Sequence, residues 1–566
     1  MKIVLTTLNA KFIHVALSLR YLRNAAQSAG FENVWLVEYT IDQPIWKVAA
    51  DIHRHQPDVI GISIYIWNRQ KSFELIETVR MQNPEASIVV GGPEVSFEPD
   101  IPSDYTVIAG EGEDKWVEFL KFHQRCEIPS PDVLKRWKTY GNDSPGLIPP
   151  YIEEDFKRMK NRIAYIETSR GCPYLCSFCL SALDKTVRYF DNDVLRQQIT
   201  RLSDCGVQTV KFIDRTFNLQ GKRMIEWMLW LSKFKNLSFH FEIVGDLLSN
   251  EILDFLETVP VGMFQFEIGV QTTNEKGQSA IKRKQDNKKL FEVIRKIAKQ
   301  NKVHLHCDII FGLPGETKKD CLRSFNDIFQ LGPHELQLGF LKFLPGAPIL
   351  DKTESCGYRY QSYPPYEIIA SNDLSAEDII YLKQFVEVFD RFYNSKRFRF
   401  SIANLQKNYN PIALIDKLLD RMKVEDLLNR PLSLDNLYWE FYKTFKIGKD
   451  PLRLDLLRLD YLYGQKAFRL PLFLRNPADG KNVDGKLKTW AGDKKSPLFP
   501  FIHTIEIKGK KAILQPSSER VYYAFVHEKN GYITDPSLIF AINENKMNET
   551  NPGEPFEKIK GDVNDH

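Results

Sequence analysis

Three of the eight cysteines of this 566-residue chain fall inside the stretch SRGCPYLCSFC, as Cys172, Cys176 and Cys179. Cysteines this close together can form a disulfide, hold zinc or hold an iron–sulfur cluster. A disulfide framework suits small secreted chains, whereas the opening MKIVLTT shows no charged then apolar leader, so a reducing, cytoplasmic setting is expected. Structural zinc wants four closed ligands, and the remaining cysteines, Cys126, Cys205, Cys307, Cys321 and Cys356, are scattered singly. Three thiolates with one open coordination position suit a 4Fe-4S cubane whose fourth iron binds something other than protein.

Such a loop needs elements to hold it. Residues up to about 120 alternate apolar runs (KIVLTTL, VWLVEY, VIGISIY, SIVVGG, YTVIAGEGE) with amphipathic helical segments, the pattern of a doubly wound, flavodoxin- or Rossmann-like parallel sheet. A stretch dense in Pro, Gly and acidic residues, YGNDSPGLIPPYIEEDF, suggests a boundary. From Ile163 six further strands are expected (IAYIETS, TVKFID, FHFEIV, MFQFEIGVQ, VHLHCDIIFGLPG, LQLGFLKFLPG), too few for a closed eight-stranded barrel and enough for a partial (β/α)6 TIM-like one. Beyond Tyr366 a capping box, Ser375 to Asp378, opens a helical region, and HTIEIKGKKAILQ and RVYYAFVHE read as late strands before a polar tail from about Asn543 that is expected to be disordered. The α/β chain thus divides into 1–125, a linker 126–160, a partial barrel 161–365 and a mainly helical domain 366–566.

Charge excludes little. Lys plus Arg number 77 against 73 for Asp plus Glu, which leaves no clear nucleic-acid footprint over the whole chain. No apolar run approaches the roughly 18 residues of a membrane span. The segment RLDLLRLDYLYGQKAFRLPLFLR mixes basic, aromatic and apolar residues; helical packing with Arg and Lys at its edges is preferred to a nucleic-acid surface.

The cysteine spacing, with Phe178 ahead of Cys179 and the motif after the first barrel strand, resembles the radical S-adenosylmethionine (radical SAM) superfamily over about 163–349. The resemblance implies a 4Fe-4S cluster on Cys172, Cys176 and Cys179, and SAM bound to the open iron. It nominates Asp214 and Asn218 in FIDRTFN, which departs from the usual Gly-Gly-Glu, for the SAM amino acid. It nominates Glu267 and Gln271 in FEIGVQTTNE for hydrogen bonds to SAM, and Gly312, Gly315 and Glu316 in FGLPGET for the adenine side. The plainer roles are a buried salt bridge with a barrel arginine for Glu267 and a helix N-terminal charge complementing the dipole for Glu316.

The first domain's GISIYIWN, VGGPEVSFEPD (to Asp100) and AGEGED resemble the cobalamin-binding domain found ahead of many such barrels, which nominates Ser63, Gly91, Gly92, Glu111 and Gly112. The Asp-x-His-x-x-Gly motif that sets a histidine under cobalt elsewhere is absent. His14, in LNAKFIHVAL, is read chiefly as a packing or substrate-facing histidine, and as a cobalt ligand only if nitrogen coupling in the cob(II)alamin spectrum is lost on His14→Ala. Methylthiotransferases are disfavoured because their first domain brings three more cysteines, and here it has Cys126 alone.

The resemblance implies reductive cleavage of SAM to a 5′-deoxyadenosyl radical, driven by a reductant such as flavodoxin or ferredoxin, and methylation of an unactivated substrate carbon through methylcobalamin. Radical cyclisation or rearrangement without methyl transfer is the alternative within enzymes. A non-catalytic iron–sulfur and cobalamin sensor is the alternative outside them. The last 200 or so residues resemble only an uncharacterised extension of the family.

Overall fold

The computed structural model describes residues 1–97, 105–141, 149–428, 430–464, 469–475, 488–491, 494–508, 511–526, 538–543 and 557–558. Asp100, the centre of the Gly- and Pro-rich stretch and most of the polar tail lie outside these residues. The chain divides into two compact units, Met1–Ile379 and Ile380–His566.

The first unit opens with five parallel strands: β1 Ile3–Asn9, β2 Val34–Thr40, β3 Val59–Ser63, β4 Ser87–Gly91 and β5 Thr106–Ile108. Their order, β2-β1-β3-β4-β5, is the doubly wound arrangement expected from the alternation of strands and helices. Strand residues alternate between two cores. Val4, Ile60 and Ile62 pack with Val48, Ile52, Leu75 and Val79 of one helix layer, while Ile3, Leu5 and Val59 pack with Leu19, Trp116 and Leu120 of the other. Burial on both faces is why these strands are almost uninterruptedly apolar. Within the segment expected to link the domains, Ser130 caps the helix Pro131–Lys138, and that helix buries Trp137 in the second core. The Trp137 ring meets Phe119 and Phe122 edge-on, and its N–H donates to Glu118.

The second sheet contains β6 Ile163–Ile166, β9 Thr209–Phe212, β10 Ser238–Ile243, β11 Phe264–Gln271, β12 His304–Phe311 and β13 Glu335–Phe340, in the order β13-β12-β11-β10-β9-β6. Between β6 and β9 a small antiparallel pair, β7 Ser169–Arg170 and β8 Arg188–Tyr189, closes the neck of the cysteine loop. All six expected strands are present, all parallel. In β10 and β11, Phe239, Phe241, Ile243, Phe264, Phe266 and Ile268 are buried, while His240, Glu242, Gln265 and Glu267 lie on the opposite face. That polar face is the working surface.

A six-stranded barrel leaves β6 and β13 as edges. The first domain meets both sides: Ile163 N donates to Ile13 O at 2.8 Å beside β6, and Tyr366 Oη, beyond β13, donates to the buried Glu94 at 2.7 Å. Arg23 joins the first helix to Asp155 with contacts of 2.5 and 3.0 Å, both side chains buried. A short pair, β14 Arg359–Tyr360 and β15 Ile368–Ala370, follows, and Ser375 and Asp378 cap the next helix reciprocally as expected.

The second unit is helical through Tyr463 and then forms an antiparallel sheet of β16 Lys488–Ala491, β17 Lys494–Lys508, β18 Lys511–Val526, β19 Leu538–Asn543 and β20 Glu557–Lys558. Residues 453–463 of the basic and apolar segment lie in the helix Pro451–Tyr463, which is buried from Asp455 to Tyr463, whereas Leu472 further along is exposed; the arginines do not all sit at edges. Arg458 is fully buried against Asp455 at 3.2 Å, and Asp455 also accepts from Ile502 N and His503 Nδ1. A charge taken out of water needs such a partner, which the linear pattern does not display.

Candidate functional site

The cysteine loop hangs from the end of β6. Asp214, just beyond β9, is 1% exposed and accepts from Thr168 N, Thr168 Oγ1 and Ser169 Oγ at 2.9, 2.6 and 2.6 Å. Burial pushes its carboxyl above the usual range, opposed by these donors. It fixes the two residues that lead into Arg170 and Cys172. Cys172, Cys176, Phe178 and Cys179 then line one cavity of about 190 Å³, with Arg215, Glu242, Glu267, Gln271, Asp308 and Arg283 among its other walls. Burial pushes the Cys176 thiol up, and Arg283, whose Nη1 lies 3.8 Å from the sulfur, opposes that shift. Among the described residues no three His, Cys, Asp or Glu side chains close on a single ion.

Across the cavity, Glu267 has His240 Nε2 at 2.8 Å and Lys211 Nζ at 3.5 Å. Burial disfavours its charge, but the His240 contact and Lys211 outweigh this and hold the carboxyl down at about 2. The expected salt bridge therefore exists with lysine and histidine in place of arginine, and Glu267 still faces the cavity as an ionised acceptor. Gln271, with φ of 66°, folds its amide over Gly269: a Cβ there would stand 2.3 Å from Gln271 Nε2. Gln271 Oε1 is buried without a hydrogen-bond partner. A bound molecule in this cavity would find an unused acceptor there.

Other sequence-nominated residues are not brought to this cavity. Asp214 serves Thr168 and Ser169, and Asn218 exchanges two hydrogen bonds with the Val244 backbone at 2.8 and 2.9 Å, pinning the end of β10. Glu316 is 1% exposed, accepts from Thr272 Oγ1 and packs against Gly277, so it is a buried carboxyl and not a surface helix charge. Burial raises its pKa to about 8. Gly312 lies against Ile368 with its carbonyl taken by Tyr358, and Gly315 occupies the following turn at φ of 76°. Arg283, Glu242 and Asp308 line the cavity without having been anticipated. The lone polar positions in FHFEIV and LHCDIIF were the available signal for the two acids, whereas Arg283 lies in a loop with none.

The second cavity, about 400 Å³, sits at the carboxyl ends of β3, β4 and β5 and is lined by Ser63, Gly91, Gly92, Glu111 and Gly112 together. Gly92 has a φ of 105° and a Cβ there would collide with the Ile64 backbone, so this position admits only glycine. Barrel residues Glu167, Ser169, Arg170, Ser181, Ile213 and Arg215 complete the lining. Ser181 and Arg215 belong to both cavities, which therefore adjoin. His14 is elsewhere: its Nδ1 is 2.6 Å from Tyr165 Oη, and burial, with Lys11 and Lys211, lowers its pKa.

Residues 3–120 match the B12 binding domain model and residues 166–328 the radical SAM superfamily model. Over these residues the chain carries a B12 binding domain followed by a radical SAM domain. Its third match, residues 354–526, is to DUF4080, a protein of unknown function. The cofactors of these families are the 4Fe-4S cluster, SAM and cobalamin. The chain is 23% identical over 380 residues to the 2-(S-pantetheinyl)-carbapenam-3-carboxylate methyltransferase of Streptantibioticus cattleyicolor, covering 58% of this chain and 53% of that one. It is 25% identical over 364 residues to the cobalamin-dependent radical SAM methyltransferase TokK of Streptomyces tokunonensis, covering 57% and 53%. It thus spans about half the length of these relatives.

Solved structures share this fold. OxsB with aqua-cobalamin aligns with TM-score 0.54 at 15% identity over 81% of this chain and 75% of that one. TsrM of Kitasatospora setae, with cobalamin and a [4Fe-4S] cluster bound, gives 0.52 at 17% over 65% and 82%. The donor sets fit the cofactors: three thiols on one cavity for the cluster, an ionised Glu267 and an unpartnered Gln271 acceptor for SAM, and a larger cavity lined by Gly61, Gly91, Gly92, Gly110 and Gly112 for a corrin. No helix is long and apolar enough to cross a membrane among the described residues.

Proposed function

We propose that this chain is a cobalamin-dependent radical SAM methyltransferase that methylates an unactivated carbon. The observation that carries the reading is the meeting of the glycine-walled cavity and the cysteine cavity at Ser181 and Arg215. When bound, the cofactors would supply reductive cleavage of the sulfonium carbon–sulfur bond and a methyl carrier facing the same mouth. Cys172, Cys176 and Cys179 would hold three irons, with Phe178 packing beside them. Glu267, ionised at every physiological pH, and Gln271 would accept hydrogen bonds from SAM, and the Arg283 cation would favour the thiolate form of Cys176. Asp214 and Asn218 act one step back, fixing the ends of β6 and β10, while Gly312, Gly315 and Glu316 shape the turn after β12. Ser63, Gly91, Gly92, Glu111 and Gly112 would seat cobalamin, with His14 turned to Tyr165 and away from it. A flavodoxin- or ferredoxin-like reductant is the expected electron source.

The test is anaerobic. Protein reconstituted with iron, sulfide and hydroxocobalamin is given SAM and a strong reductant, and 5′-deoxyadenosine is measured by mass spectrometry. The expected result is deoxyadenosine that disappears in Cys176→Ala. Its absence from the fully loaded wild type would overturn the reading.

A further inference from the structure

The cysteine loop begins and ends on arginines, and both face the first domain. Arg170 on β7 pairs with Arg188 on β8, and Cys172 N donates to Asp184 O at 2.8 Å, so the loop is pinched at its neck. Arg188 grips both carboxylate oxygens of Glu111, Nη1 to Oε2 at 2.9 Å and Nη2 to Oε1, and also contacts Asp184 at 2.9 Å. Arg170 reaches Glu111 at 3.7 Å, Glu113 at 2.8 Å and Glu167 at 2.7 Å. Glu111 and Arg170 side chains are each 15% exposed, so little water screens them. Glu111 and Gly112 line the glycine-walled cavity, as do Arg170, Gly171 and Asp184 of the loop's neck, while Arg188 is not among the residues lining it. A two-point Arg–carboxylate fork fixes orientation as well as distance. An occupant therefore meets the neck directly at Arg170, Gly171 and Asp184, and Arg188 ties the Asp184 carboxylate to the Glu111 turn on the first domain, so the two walls of the cavity are ordered together.

We propose that this fork couples cobalamin binding in the first domain to cluster assembly in the loop, with Arg188 as the positioning residue. The inference rests on the cofactor reading above. Coupling is reciprocal: whatever cluster assembly does for cobalamin affinity, cobalamin does for cluster affinity.

The test needs no turnover. Hydroxocobalamin is titrated into cluster-free and cluster-loaded full-length protein, read by quenching of tryptophan fluorescence, since Trp116 lines the cavity. Cluster loading is expected to tighten Kd by about fivefold in the wild type, a usual size for coupling between sites. In Arg188→Gln, which keeps the direct contacts of Arg170, Gly171 and Asp184 with the cavity, the coupling is expected to fall below about twofold. Arg188→Lys keeps the charge without the fork, serves if the glutamine variant fails to fold, and is expected to hold the coupling below about twofold. Equal Kd values in the wild type, or undiminished coupling in either variant, would overturn the proposal. Absence of hydroxocobalamin binding from both wild-type forms would instead overturn the cobalamin reading, and the coupling with it.

Discussion

Glu316 and Glu267 are two carboxyls of one barrel driven in opposite directions. Glu316 is buried with a hydroxyl as its donor, and its pKa rises to about 8; Glu267 has lysine and histidine beside it, and its pKa falls to about 2. The raised group contributes stability in full below its unfolded value of 4.5, and that contribution is lost as pH climbs to about 8. Glu316→Gln keeps an acceptor for Thr272 and removes the titration. Its melting temperature relative to wild type is expected to climb between pH 5 and 8 and level off above, which thermal denaturation across that range checks. A second prediction concerns Gly269. Alanine there collides with the Gln271 amide, and calorimetric titration of SAM into the cluster-loaded variant is expected to show Kd raised about tenfold or more.

Strand ends make the site usable. Asp214 gathers three donors from Thr168 and Ser169, and that anchor sits one strand away from the loop it holds. Asp214→Asn turns one acceptor into a donor facing other donors, which costs about 1–3 kcal/mol and loosens the exit from β6. Reconstituted protein is expected to hold less iron per chain, with far-ultraviolet circular dichroism unchanged; full iron content would remove Asp214 from its positioning role. The pairing of β7 with β8 works at the same scale, since it makes a flexible cysteine loop into one with a fixed neck.

Two α/β layers form a single compact unit because the first domain reaches both edges of the open barrel. Ile13 meets β6, Glu94 receives Tyr366 beyond β13, and Arg23 is buried against Asp155. Arg23→Met removes the bidentate partner of a buried carboxylate but leaves Asp155 with Arg20 Nε at 3.3 Å, so it is expected to cost about 1–3 kcal/mol in urea unfolding. Because the pair joins the first helix to the approach to β6, the loss should appear in the shared transition of residues 1–379. An early transition of the first domain alone would show that the layers unfold independently.

The strands of the doubly wound sheet, the six barrel strands and the Cys172, Cys176 and Cys179 loop were legible in the sequence. Each is written in local spacing: apolar runs of strand length, alternating polar positions in FHFEIV and FQFEIGVQ, and three thiols in one turn. The segment around Trp137 was not, because a tryptophan in a Pro-rich stretch declares its core only when Phe119 and Phe122 come to meet it. Nor were the partners of the site. Arg188 finds Glu111 across 77 residues and Arg283 finds Cys176 across 107, and no periodicity carries information over such separations. Residue types and spacing determined which chemistry the chain can hold. Tertiary structure decided which side chains face it, sending Glu267 and Gln271 to the cavity and Asp214, Asn218 and Glu316 to its supports, since burial and charge pairing are settled only when distant strands meet.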